Sequence, residues 1–308
     1  MVAYNNRCGG QLHKINEEVF ELMAINFQKK VAAFKNANIN VEIFDSANEV
    51  VEVSSRRQIT SSRFHDQSDP SNIDKDWAGV DSLDEACELM RTGYQPTVDK
   101  MKTGIKANVQ GQGKRISFFN DVVGYSPIVP LALLGVPNSM QNSYMKPIKA
   151  KVLNIYYDMT ASCNTKKEKI IEAGQKLLAA IMELEMQGYK FNLYAIQSYS
   201  DESSCDMLCT KIKSSNTPLD LKRISFPLTH TAYFRVIGFD WYSKTPKGKH
   251  RFGYGHALGH EFSEEKMQAG FKELFGQNCV VFSCAKIIDK DAEHFKTVIM
   301  NNSKEAKA

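Results

Sequence analysis

What this 308-residue sequence lacks narrows it first. No apolar run approaches the ~18 residues that a membrane-spanning helix needs, so no membrane partner is expected. The seven cysteines, Cys8, Cys87, Cys163, Cys205, Cys209, Cys279 and Cys284, are odd in number and include no Cys-x-x-Cys pair. That argues against a disulfide framework and against a four-cysteine zinc site. No Gly-x-x-x-x-Gly-Lys-Thr phosphate loop occurs, and Gly111-Gln-Gly113 stands alone. A strong charge bias is also missing. The balance of 39 basic and 35 acidic residues leaves a net +4, a weak argument for nucleic acid. Met1 to Arg7 contain no apolar signal core, so a cytoplasmic location is expected. No internal repeat is visible.

What is present suits one large soluble domain or two smaller ones. Hydrophobic residues make up 43% and charged residues 24%, enough for a sizeable core under an ordinary surface. Val19, Leu22, Met23, Ile25, Phe27, Val31 and Phe34 give residues 15–36 the spacing of an amphipathic helix, with Asn16 at its cap. Asn40 to Asp45 and Glu49 to Val53 read as a hairpin. Residues 1–60 are therefore expected as an N-terminal helix-plus-hairpin extension, and the Ser-, Arg- and Asp-rich stretch at 61–76 as a loop or linker. An α/β domain should fill 77–308, with its core at 115–308.

Within that domain, Ser82 and Glu85 form a Ser-x-x-Glu capping box ahead of Leu83, Ala86, Leu89 and Met90, and Gly93 closes the helix. Arg115 to Phe119 is a strand, and Val129 to Leu134 a turn of helix. The strongest periodicity lies in 151–199. Lys151 to Tyr157 is an apolar strand, Lys166 to Gln187 a helix stopped by Gly188, and Phe191 to Ile196 a second strand. Such a unit makes a right-handed parallel crossover. Leu219 to Phe226, Ala232 to Phe239 and Phe262 to Phe275 read as helices. Asn278 to Ser283 is a buried strand, and Ala292 to Met300 a last helix. The alternation predicts a Rossmann-like sheet flanked by helices. Cys205 and Cys209 either share a helical face or flank a short edge strand, Met207 to Ile212. Cys279 and Cys284 read as small core residues.

In open α/β sheets ligands bind beyond the carboxyl ends of the strands. Asp158-Met-Thr-Ala-Ser162 falls there. Its Asp-x-Thr-x-Ser spacing resembles the metal-ion-dependent adhesion motif of von Willebrand factor A domains, Asp-x-Ser-x-Ser. A hard divalent cation takes oxygen ligands of this kind. The resemblance implies a von Willebrand A-like sheet, Mg²⁺ held by Asp158, Thr160 and Ser162, and a later threonine, Thr229 or Thr231, as a further ligand. The family's aspartate after the fourth core strand is replaced by Ser283, and the nearest aspartate is Asp289. The competing reading is a loop in which Thr160 or Ser162 caps the following helix. His256-Ala-Leu-Gly-His260 spaces two histidines for one helical face, but the glutamate of the His-Glu-x-x-His zinc peptidases is absent between them. Lys247, Lys249 and Arg251 sit in a basic, glycine-rich loop suited to anion contact. His230 and Arg235 form a possible polar site, with a satisfied, partly buried His230 as the plainer reading.

Trp77-Ala-Gly-Val-Asp-Ser-Leu-Asp-Glu-Ala86, Gly135-Val-Pro-Asn-Ser-Met140 and Leu219-Asp-Leu-Lys-Arg-Ile-Ser-Phe-Pro-Leu-Thr-His230 follow one another in order. Together they resemble an uncharacterised family of bacteriophages and related mobile elements. That family shares Trp-x-Gly-x-x-Ser-x-x-Glu-Ala, Gly-x-Pro-x-x-Met and Leu-Asp-x-x-Arg-x-x-Phe-x-Leu-x-His patterns, and the resemblance covers residues 77–240. It implies a structural or host-interaction protein, oligomeric and without catalytic activity, in the host cytoplasm or on the virion. Two alternatives stand beside it. One is a divalent-metal-dependent module that binds a protein partner, and the other an enzyme acting on nucleotides or nucleic acid.

Overall fold

The computed structural model describes residues 25–60, 64–104, 114–147, 152–201, 204–245 and 256–305. Their strands are β1 (Ile25–Val31), β2 (Ala37–Phe44), β3 (Lys114–Asp121), β4 (Ser126–Pro127), β5 (Met140–Pro147), β6 (Val152–Asp158), β7 (Lys190–Asp201), β8 (Ser204–Lys213) and β9 (Cys279–Ser283). Six form a mixed sheet in the order β1-β2-β8-β7-β6-β9, and the other three form a separate sheet, β3-β5-β4. The parallel centre is β7, β6 and β9. β8 returns antiparallel to β7, and β2 runs parallel to β8. The expected α/β architecture is what the chain adopts.

Side chains alternate across a strand, and here both faces are covered. Leu153, Ile155 and Tyr157 of β6 join one core cluster, with Phe191, Leu193 and Ala195 of β7. Tyr156 and Ile196 point into the other, with Cys205, Met207 and Cys209 of β8. The helix Lys167–Met186 covers the first face. Its buried Ile170, Ala173, Leu177, Leu178, Ile181 and Leu184 recur at helical spacing. Full burial of each large aliphatic side chain among them contributes roughly 1.5–3 kcal/mol, well above any propensity difference. Gly188, at φ +93°, ends the turn that follows. The helix Glu264–Phe275 covers the second face through Met267 and Phe271.

Several expectations change at the amino-terminal end. Of the helix expected over 15–36, residues 15–24 lie outside the described part. From Ile25 the chain is strand β1, paired antiparallel with β2 across a turn in which Lys35 and Asn36 take left-handed conformations. Ile25 and Phe27 also fit period two, and pairing with β2 decides between the two periods. The expected hairpin over 40–53 is not formed either. Ala47–Arg56 is a helix, because Ser46 Oγ accepts from Glu49 N and Glu49 Oε2 accepts from Asp45 N. That is a capping arrangement which outweighs the β-branched Val50, Val51 and Val53. β1 and β2 thus belong to the main sheet. β8 is an interior strand, so Cys205 and Cys209 share a strand face and are buried.

Candidate functional site

β6 and β7 end side by side, and the loop leaving β6 is tied down by hydrogen bonds. Asp158 is fully buried. Its Oδ1 accepts from Thr160 N at 3.1 Å and its Oδ2 from the Ser198 hydroxyl at 2.7 Å. Thr160 Oγ1 accepts from Ser198 N at 2.8 Å, and Ser198 Oγ accepts from Leu258 N at 3.1 Å. Burial pushes the Asp158 carboxyl up to about 6, against the opposing pull of these donors. Thr160 and Ser162 form part of the wall of a cavity of about 610 Å³ at this carboxyl edge.

Trp77 also lines this cavity, and its turn is gripped by the segment after the helix Leu221–Thr229. Gly79 takes φ +88°, and a Cβ there would lie 3.0 Å from the His230 ring. Thr231 Oγ1 donates to Ala78 O at 2.7 Å. Arg235 Nη1 donates to Trp77 O and Nη2 to Thr165 O at 2.7 Å, while its Cζ sits 4.4 Å from the Trp77 ring centre. Trp77 Nε1 in turn donates to Cys163 O at 2.9 Å. Arg235 therefore staples the Trp77 turn to the loop that follows Ser162. The helix expected over 232–239 forms, but its stretch Tyr233–Gly238 is π-helical, and this wider turn carries the buried Arg235. The buried Gln197 amide fills the space beside Gly238, where a Cβ would lie 1.4 Å from Gln197 Oε1.

These contacts say where each expected site residue goes. Thr160, Ser162 and Arg235 meet at the cavity, whereas Asp158 and Thr231 do not reach its wall. Thr229 Oγ1 donates to Ser225 O at 2.6 Å inside its helix. His230 is buried between Phe226 and Tyr94, and its Nδ1 accepts from Ala232 N. Burial holds its pKa down at about 4, so it packs as a neutral ring. Lys247, Lys249 and Arg251 lie outside the described residues. His256 and His260 do share the cavity wall. They do so from a bridge to Ser200 and from a single helical turn, Leu258–Glu261. Their spacing points to them only as a zinc pair. Trp77, Tyr199, Phe239 and His65 also line the wall, and no spacing in the sequence links them.

Mg²⁺ keeps several of its waters and so needs oxygens that face solvent. Asp158 offers no exposed surface, both its oxygens are engaged, and the Thr231 hydroxyl is committed to Ala78 O. Ser283, paired with Asp158 in register, stands where the adhesion motif has its second aspartate, and its hydroxyl is buried without a partner. The donor set as arranged does not fit a hexacoordinate cation. Among the described residues no group of three or more His, Cys, Asp or Glu side chains is placed to hold a metal ion.

The small sheet is a second feature. Among the described residues β3, β5 and β4 pair only with one another, and the helical turn Val129–Leu133 follows β4. No residue between 118 and 143 is buried. Phe118, Val122, Val123, Tyr125, Val129, Leu133 and Leu134 are all exposed, Leu133 at 83% and Leu134 at 77%. Such a concentration of exposed apolar side chains is unusual on the surface of a lone soluble chain.

Fold and cavity together define an α/β protein with a ligand-sized cavity at the carboxyl edge of its parallel strands and an apolar β-arm. The family model described as "Domain of unknown function (DUF7192)" matches residues 19–297, and the chain belongs to that family. No curated protein and no solved structure matches the chain. Among the described residues no helix is long and apolar enough to cross a membrane.

Proposed function

We propose that the protein is a non-catalytic interaction protein of the bacteriophage kind its sequence resembles, and that it assembles with copies of itself through the β3-β5-β4 arm. The exposure of that arm carries the reading. A sheet of three strands needs a covered hydrophobic face to be stable, and this one has apolar side chains on its surface and no buried residue between 118 and 143. The large apolar residues of one arm present on the order of 1,000 Å² to solvent, against the ~800 Å² per partner of an ordinary stable interface. A second copy supplies an equivalent apolar surface, as a two-fold interface requires. The hydrogen-bonded state of Asp158, Thr160 and Thr231 favours this reading over a metal-dependent adhesion module, and the net charge of +4 gives little support to an enzyme on nucleic acid.

Light scattering coupled to size exclusion tests it, on the wild-type chain and on a Leu133→Asp/Leu134→Asp double variant. The wild type should run as a dimer or larger at tens of micromolar. The double variant should run as a monomer that still unfolds cooperatively, because neither side chain touches the main core, with a melting temperature lowered at most by the lost association. A monomeric wild type, or a variant that keeps its oligomeric state, overturns the proposal.

A further inference from the structure

No residue of the β3-β5-β4 arm lines the cavity at the carboxyl edge, and its lining has a composition of its own. The basic side chains on its wall are Arg235, His65, His256 and His260, and among the described residues no carboxylate lines it. Arg235 is 1% exposed and pairs with no carboxylate among the described residues. A guanidinium has five N–H donors. Two of Arg235's are used on the carbonyls of Trp77 and Thr165, and its Nε–H has no partner. Carbonyl groups orient a guanidinium but do not neutralise it. Burial lowers the Arg235 pKa only to about 10, so the group remains a cation at neutral pH. A buried cation without a counter-charge is costly, and an anion from outside relieves that cost.

The apolar part of the lining is aromatic. The Trp77 and Phe239 ring centres are 5.7 Å apart, and those of Tyr199 and Phe239 6.0 Å. Tilted by 37° and 54°, these rings pack on one another and form one aromatic wall against which a planar guest can lie. A volume of about 610 Å³ falls in the range of small-molecule sites, and the carboxyl edge of parallel strands is where α/β sheets hold ligands. Metal chemistry is not what this wall offers, since its three histidines form no metal-holding group.

We propose that this cavity binds a small planar molecule carrying one oxyanion, a carboxylate or a phosphate, with the oxyanion at Arg235 and the ring against the aromatic wall of Trp77 and Phe239. The free Nε–H and the remaining terminal N–H groups of Arg235 suit the planar fork of a carboxylate or phosphate. Ser162 adds a half-buried hydroxyl on the same wall.

Calorimetry on the full chain, with two probe sets, tests this and separates the two sources of such an oxyanion. One set pairs 5′-AMP and 5′-UMP with adenosine and uridine. The other pairs indole-3-acetate and 4-hydroxybenzoate with indole-3-ethanol and 4-hydroxybenzyl alcohol. In at least one set the acid should bind tenfold or more tightly than its neutral partner, the discrimination expected of a charge-assisted hydrogen bond. Arg235→Lys keeps a charge but loses the fork, and should weaken the acid by about tenfold. Ser162→Trp fills the cavity from a position whose side chain makes one long hydrogen bond, 3.4 Å from Asn164 N, and it should abolish binding without lowering the melting temperature. Ser162→Trp decides the matter if Arg235→Lys fails to fold. Neutral partners that bind as well as the acids, no binding by any acid at about 1 mM, the weak end of specific affinity, or undiminished binding by Ser162→Trp each overturn the proposal.

Discussion

Replacing Asp158 by asparagine should reverse sign in its effect on stability as pH rises from about 4 to 7. The side chain is fully buried, and burial raises its carboxyl from the usual 3.8 to about 6. Between those values the native protein binds more protons at this site than the unfolded chain does. Stability must then fall as pH rises through the window, because its slope with pH follows the protons bound by the unfolded state less those bound by the native state. The whole loss is about 3 kcal/mol, at about 1.4 kcal/mol for each pKa unit, and is complete above pH 6. The substituted amide cannot ionise. Its oxygen would still accept from Thr160 N, but its nitrogen would meet the Ser198 oxygen that already accepts from Leu258 N, leaving the Ser198 proton without an acceptor. That lost bond costs about 1 kcal/mol at every pH. The wild type should therefore be about 0.5 kcal/mol more stable than Asp158→Asn near pH 4, and about 2 kcal/mol less stable at pH 7. Urea unfolding followed by circular dichroism, on both proteins from pH 4 to 7.5, measures the difference. Other groups titrate in the same window but are common to both proteins, so the difference isolates Asp158. A difference that stays constant across the window, or that moves toward the wild type as pH rises, refutes the reasoning.

Three further substitutions follow from the packing. His230 is neutral in the fold, with its pKa lowered from 6.5 to about 4 by burial. The native state then binds fewer protons there than the unfolded chain, and stability is lost as pH falls from 6.5 through 4. His230→Gln should remove about 3 kcal/mol of that acid loss, read as a flatter unfolding midpoint against pH; an equally steep profile would exclude His230 as its source. Gly174→Ala would place a Cβ 2.3 Å from the Leu228 carbonyl oxygen, which is backbone and cannot swing aside. A loss of roughly 1–3 kcal/mol is expected by thermal denaturation, and an unchanged midpoint would mean the two helices can separate freely. Glu42 is nearly buried and accepts from both Arg57 terminal nitrogens and from Trp241 Nε1 at 2.7 Å. Glu42→Gln removes the charge that Arg57 answers. Because Arg57 remains a quarter exposed, the loss should stay near 1–2 kcal/mol by urea unfolding; a loss below the error of the method would assign the pair no role in stability.

The three segments behind the family resemblance have unequal structural meaning. Two of them form one joint. Gly79 leaves space beside His230, Gly93 sits at φ +83° where a Cβ would lie 2.5 Å from Lys222 O, and Phe226 stacks on His230. The third, Gly135 to Met140, lies in the exposed arm. The glycines, Trp77 and His230 thus hold two chain segments together beside the cavity, a packing role that the order of motifs could not reveal. The signal for the helix Ala47–Arg56 is present as Ser46 and Glu49, the same Ser-x-x-Glu spacing that marks the helix start at Ser82 and Glu85. At Ser46 the run of valines conceals it.

Strong local periodicity settled the parts of this protein that depend only on near neighbours. β6, the helix Lys167–Met186, β7 and β9 bury stripes with periods that no other element could match, so the α/β class and the position of the carboxyl edge were legible from the sequence. Tertiary structure alone decided what that edge contains. Asp158 has the spacing of a metal ligand, but Ser198, forty residues away, supplies donors to both Asp158 and Thr160. Arg235 looks incidental in the sequence, yet the π-turn and the carbonyls of Trp77 and Thr165 bury it in the cavity wall. β1 followed the pairing of β2 over its own helical spacing. Hydrogen-bond partners and burial are set by segments distant in sequence, and no spacing along the chain encodes them.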